Sequence, residues 1–90
     1  MKSLPAIVAP YQRTKTFTQD TVPKGLLADH STKAGTWGVI TVLEGRLEYV
    51  IPSADETVIL DPKTPGIVEP EMPHHVRPIG PVAFYVEFYR

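Results

Sequence analysis

Six of the ten prolines in this 90-residue chain fall between Pro62 and Pro81. A proline inside a helix removes a backbone hydrogen bond and clashes with the preceding turn, at a cost of about 3 kcal/mol or more. No stretch shows a 3.6-residue apolar period sustained over three turns. Long helices are therefore not expected. The chain has to be built from extended segments, with its prolines at strand starts, edges or turns.

Strand signals are frequent. Thr36–Leu43 (TWGVITVL) is rich in β-branched residues, and Arg46–Ile51 (RLEYVI) alternates, with Leu47, Tyr49 and Ile51 on one side. Glu44-Gly45 lies between them, and glycine adopts turn conformations that strain other residues, so the segment reads as a hairpin. Glu56–Asp61 is a further strand. Val82–Tyr89 (VAFYVEFY) is the strongest, with Val82, Phe84, Val86 and Phe88 on one face and Ala83, Tyr85, Glu87 and Tyr89 on the other. Weaker candidates are Lys15–Gln19, Gly25–Asp29, Gly66–Glu69 and His75–Ile79.

Short strands punctuated by Gly and Pro predict one all-β domain over residues 1–90, a sandwich or a barrel that is mainly antiparallel. The composition, 42% hydrophobic and 21% charged, is that of a globular chain. A formal net charge of −1 offers no basic excess for a phosphate backbone, so nucleic acid is not an expected partner. The absence of cysteine removes disulfides, thiol nucleophiles and thiolate metal sites. No segment approaches the roughly 20 apolar residues of a membrane span, and the N-terminus lacks a signal-peptide run, so a cytoplasmic location without membrane contact is expected.

The chemistry-bearing residues are few. The three histidines are His30, at the end of GLLADH, and the pair His74-His75 in EPEMPHHV. Two distant segments thus present imidazole near strand ends, as a metal site would require. Successive strand residues face opposite ways, so only one of His74 and His75 points inward. His74 shares its parity with Val76 and His75 with Arg77, which favours His74. A carboxylate ligand would come from Glu69 or Glu87. The bland alternative is solvated imidazoles near a turn, with Glu87 on an exposed face. Asp29-His30-Ser31 carries the letters of a hydrolase triad without a nucleophile elbow. The six glycines form no phosphate-cradling loop. Lys33 and Trp37 in HSTKAGTWG are candidates for a pocket mouth, with Trp37 favoured rather as a core anchor.

The segments TVPKGLL, HSTKAGTWG, VLEGRLEY, EPEMPHHV and FYVEFYR resemble the cupin-like family of the tellurite-resistance protein B N-terminal domain and the YeaR proteins, over almost the whole chain. The resemblance implies a cupin-type double-stranded β-helix, a jelly-roll barrel that often holds a metal. Against the general cupin motifs, His30 matches the first histidine, while Thr32 and Gly38 stand where a second histidine and a glutamate would be. The second motif is matched by His74 or by His75. The implied site is His30 with His74, His75 and Glu69 as ligands to a divalent ion (Zn, Fe, Mn or Ni), in a protein tied to oxyanion or nitrosative stress. There is no βαβ unit or Gly-rich nucleotide loop, so methyl transfer is not assigned to these residues.

Three functions follow as expectations. One is a metal-binding cupin acting on or sensing a small ligand. Another is a metal-free module that holds a small molecule or partner through Trp37, Tyr49, Tyr85 and Tyr89. The third is a metal-free sugar-modifying enzyme with a histidine base. Whether the domain is catalytic stays open. Both faces of Val82–Tyr89 carry aromatics and the interior takes only one, so the other calls for a cover and a homodimer is expected, with the arm Met1–Tyr11 crossing over or folding back.

Overall fold

The computed structural model describes residues 1–90. Six strands make up the chain: β1 (Pro10–Arg13), β2 (Phe17–Thr18), β3 (Trp37–Ile51), β4 (Glu56–Leu60), β5 (Gly66–Val68) and β6 (His75–Tyr89). Helix is confined to one turn, α1 (Lys24–Leu27), and a 3-10 turn at Pro52–Ala54. The segment Gly25–Asp29, expected as a strand, is therefore largely helical. Its amide donors bond locally, with Leu26 N donating to Pro23 O.

All strand pairing is antiparallel. β3 and β6 run beside each other from Trp37 opposite Tyr89 to Val50 opposite His75. β1 and β2 pair with successive stretches of the far edge of β6, and β5 and β4 do the same on β3. The path β1-β6-β3-β4 is open, so no closed barrel of hydrogen bonds forms.

The expected hairpin at Glu44-Gly45 is absent. Thr36–Leu43 and Arg46–Ile51 do not pair with each other; nearly all of both belongs to the one strand β3. Its buried residues are Gly38, Ile40 and Val42 before the glycine, and Leu47, Tyr49 and Ile51 after it. The inward set passes from even to odd numbers because the register shifts between Val42 and Glu44. One extra residue in a strand makes a bulge, flips the alternation and bends the strand. A second shift at Gly45/Arg46 is matched on β6, where Val82 pairs with Gly45 and Ile79 with Arg46, leaving Gly80-Pro81 between them. Gly45 and Gly80 both have positive φ, +80° and +66°. The first half of β6 has β3 on one side only, so the missing N–H groups of Pro78 and Pro81 break no second ladder.

The bend folds the sheet onto itself. Tyr49, in the second half of β3, donates its hydroxyl to Ile67 O at 2.9 Å, on the strand that pairs with the first half. A Cβ on Gly66 would lie 2.7 Å from Leu60 Cδ1 and 3.3 Å from the Tyr49 ring, so the two halves meet across the core there. Twelve buried apolar residues fill the space between, with Leu47, Leu60 and Phe84 wholly inaccessible. On β6 the inward face is Val82, Phe84 and Val86, as the alternation requires. Trp37 has odd parity and lies half-buried on the outer face opposite Tyr89, outside the core.

The N-terminal arm folds back on its own chain. The Met1 ammonium bonds both Glu56 oxygens at 2.8 and 2.6 Å, and Lys2 Nζ is 3.6 Å from Glu69. No helix is long and apolar enough to cross a membrane.

Candidate functional site

The folded sheet leaves a cavity of about 800 Å³. Ile40, Val68, Val76, Phe84, Val86 and Phe88 form its apolar wall. Tyr11, Gln12 and Thr14 close it on one side, and the loop from His30 to Thr36 on another. Thr32 Oγ1 donates to Thr36 O at 2.7 Å, which holds that loop in a tight turn. Lys33 and Arg90 bring cationic side chains to the lining, which contains no Asp or Glu. The Arg90 guanidinium stacks 4.0 Å from the centre of the Tyr11 ring.

His30 and His74 stand at the polar end. Their backbones form an isolated antiparallel bridge, each N–H donating to the other's carbonyl at 2.9 Å. The rings follow, with centroids 4.2 Å apart and planes tilted by 56°. His30 Nδ1 donates to Ala28 O and His74 Nδ1 to Met72 O, each at 2.9 Å. Tyr49 makes a T-shaped contact with His74, centroids 5.6 Å apart. His74 is 4% exposed, and its burial pushes the imidazole below its ordinary pKa; the nearby His30 acts in the same direction and the Met72 carbonyl opposes it. Burial raises the Tyr49 phenol beyond its ordinary range, so it stays a donor.

His74 is thus the inward member of the pair, as its parity with Val76 indicates. His75 turns away and binds Asp29, Nδ1 to Oδ1 at 2.7 Å. Glu69 sits beside Lys2 and does not join the histidines in a ligand cluster. Glu87 is on the outer face, 3.3 Å from Arg13 Nη2 and 3.3 Å from the Tyr89 hydroxyl. No three His, Asp or Glu side chains converge, so the residues present do not fit a metal site with three protein ligands. Gly38 faces inward where the cupin motif would place a glutamate, and its bare Cα forms part of the cavity wall.

The aromatics expected to hold a ligand are displaced. Tyr49 is in the core, and Trp37, Tyr85 and Tyr89 line no part of the cavity; Tyr11, Phe17, Phe84 and Phe88 do. Tyr11 and Arg90 had no local signal in the sequence, since they meet only through the pairing of β1 with the end of β6. The Asp29–His75 contact likewise spans 46 positions.

Comparison with known proteins agrees with this architecture. The model of the TehB-like domain matches residues 12–86. The probable S-adenosyl-L-methionine-dependent methyltransferase TehB of Haemophilus influenzae strain Rd is 34% identical over 75 residues, covering 78% of this chain and 26% of that protein. The same protein from strain 10810 is 32% identical over the same length. This chain therefore spans about a quarter of the curated relatives it matches. The crystal structure of TehB from H. influenzae superposes with a TM-score of 0.82 at 28% identity, covering 91% of this chain and 31% of that one. A crystal structure of an Escherichia coli K12 protein superposes over the whole chain and 97% of its own, with a TM-score of 0.90 at 18% identity, a likeness of fold alone. The chain belongs to the TehB-like domain family.

Proposed function

We propose that this domain is a metal-free ligand-binding module of the tellurite-resistance type, whose cavity takes a small anion with an apolar body. The observation that carries this reading is the composition of the lining: an apolar wall, the side chains of Lys33 and Arg90, and no Asp or Glu. A low-dielectric wall strengthens the attraction of fixed cations for an anion, and the same cations oppose entry of a metal ion. Two imidazoles without a third protein ligand are a weak donor set for Zn, Fe, Mn or Ni. The family's association with oxyanion stress is consistent with an anionic ligand. The reading assigns binding to these residues and leaves methyl transfer to the part of TehB that this chain does not match.

We read the folded sheet as a cupin-type jelly roll, because two long bent strands wrap one apolar core and leave a cavity beside it. The outer face carries Trp37, Tyr85 and Tyr89, each partly exposed, which favours a homodimer formed through that face. Light scattering tests the assembly: a mass near the 10.0 kDa of one chain rules it out.

Benzoate and benzylammonium, which share an apolar ring and differ in charge, test the binding reading. In ¹⁵N-edited titrations benzoate is expected to shift the amides of Val76 and Val86, and Lys33→Glu is expected to weaken it at least threefold. Equal binding of benzylammonium, or no effect of Lys33→Glu, would overturn the anion assignment.

A further inference from the structure

We propose that the cavity selects ligands presenting two neighbouring hydrogen-bond donors to His30 and His74, an acid with an apolar body and adjacent hydroxyl groups being the simplest such class. This rests on the anion-binding reading above and adds to it the chemistry that the histidine pair would recognise.

A backbone carbonyl oxygen only accepts hydrogen bonds. The ring nitrogens 2.9 Å from Ala28 O and Met72 O must therefore carry their hydrogens. A neutral imidazole has one N–H, so Nε2 of each ring is left as an acceptor with a free lone pair. Neither Nε2 has a protein partner among the side-chain hydrogen bonds. Both residues line the cavity, and no buried side-chain nitrogen or oxygen lacks both a partner and open space beside it. The rings stand with centroids 4.2 Å apart on one cavity, so a single occupant can reach both. The reciprocal backbone bridge fixes the two residues, and the Nδ1 hydrogen bonds orient their rings.

The arrangement discriminates by what a ligand leaves unpaired. His74 is almost wholly buried, so an occupant that displaces water from its Nε2 without offering a hydrogen leaves an acceptor unsatisfied. An occupant with two adjacent hydroxyls satisfies both rings at once. An ether of the same shape has no hydrogen to give, and a carboxylate at this end meets two lone pairs. The carboxylate is thereby disfavoured beside the histidines and left to the cationic lining residues Lys33 and Arg90.

The test uses the whole chain at pH 8, where an ordinary imidazole is neutral, with EDTA and without oxygen. The probes are 3,4-dihydroxybenzoate, benzoate and 3,4-dimethoxybenzoate. The dihydroxy acid is expected to bind at least tenfold more tightly than either other acid. That preference is expected to vanish in His74→Phe. Long-range ¹H–¹⁵N spectra of the unliganded wild type are expected to place the hydrogen on Nδ1 of both rings. A hydrogen on either Nε2 overturns the proposal without any variant, as does a preference that survives His74→Phe. Equal binding of all three acids overturns donor selection and leaves anion binding standing. Failure of all three to bind overturns both.

Discussion

Gly45 lies against the carbonyl of Pro81 so closely that a Cβ added to it would overlap that oxygen and come 2.9 Å from Val82 Cα. The contact is backbone on backbone, so no rotamer change relieves it. Gly45 also has φ +80°, a region that costs an L-residue roughly 1–2 kcal/mol by itself. Gly45→Ala is expected to lose more than the torsional cost alone, about 3 kcal/mol or more, by opening the bulge on which the fold of the sheet depends. Gly80→Ala, at φ +66° with nothing within 4 Å, is expected to lose only the torsional part. Urea denaturation of the two variants checks this; equal losses would show that the Pro81 contact is not what fixes the bend.

The second bend-dependent contact is the Tyr49 hydroxyl on Ile67 O, which ties the halves of the folded sheet. Tyr49→Phe keeps the ring and its packing on His74 but removes the donor. A net loss of about 0.5–1.5 kcal/mol is expected, the ordinary worth of one such bond. Hydrogen exchange is expected to rise in β5 more than in β4. An unchanged midpoint would mean that packing alone holds the halves together.

The bulge also shows what the sequence made legible. The alternation in Val82–Tyr89 and in Arg46–Ile51 separated the two faces of each segment without saying which face of Val82–Tyr89 is buried, and the match of parity between His74 and Val76 favoured the histidine that is inward. A glycine with positive φ between two apolar runs serves a hairpin and a bulge equally well. What separates them is Gly80-Pro81 on the partner strand, some 35 positions away, and periodicity does not report on partners. The same limit hid Asp29 from His75 and Tyr11 from Arg90, contacts made only after β6 returns beside β3 and β1. Gly25–Asp29 failed for a local reason, since Pro23 starts a helical turn that is too short to show a period.

Acid is expected to destabilise the domain through His74. Burial lowers the folded-state pKa of this imidazole below its ordinary value of about 6.5. Between those two values the unfolded chain binds more protons than the folded one, so stability falls as the pH drops below about 6.5 and is unaffected by this group above it. His30, His75 and Asp29 lie around the ring and contribute to its field. Unfolding free energies at pH 7.5 and 5.5 are expected to differ by more in the wild type than in His74→Gln. An identical difference in both proteins would place the pH dependence elsewhere.

Metal content separates the anion site from the ligand cluster that the sequence suggested. His30, His74, His75 and Glu69 would be a fair donor set if they met, but only the first two do, because His75 is held outward by Asp29 and Glu69 by Lys2. Lys33 and Arg90 add repulsion for any cation that enters. Protein prepared without a histidine tag is therefore expected to release added zinc on dialysis, and one equivalent of zinc is expected to leave the melting temperature unchanged. A ligand binding only the folded state at a hundred times its dissociation constant would stabilise it by about 2.7 kcal/mol, a shift easily seen in a domain of this size. Near-stoichiometric zinc that survives dialysis and is lost in both His30→Ala and His74→Ala would make the histidine pair a metal site. In that case the two Nε2 lone pairs would serve an ion rather than the hydroxyl groups of a ligand.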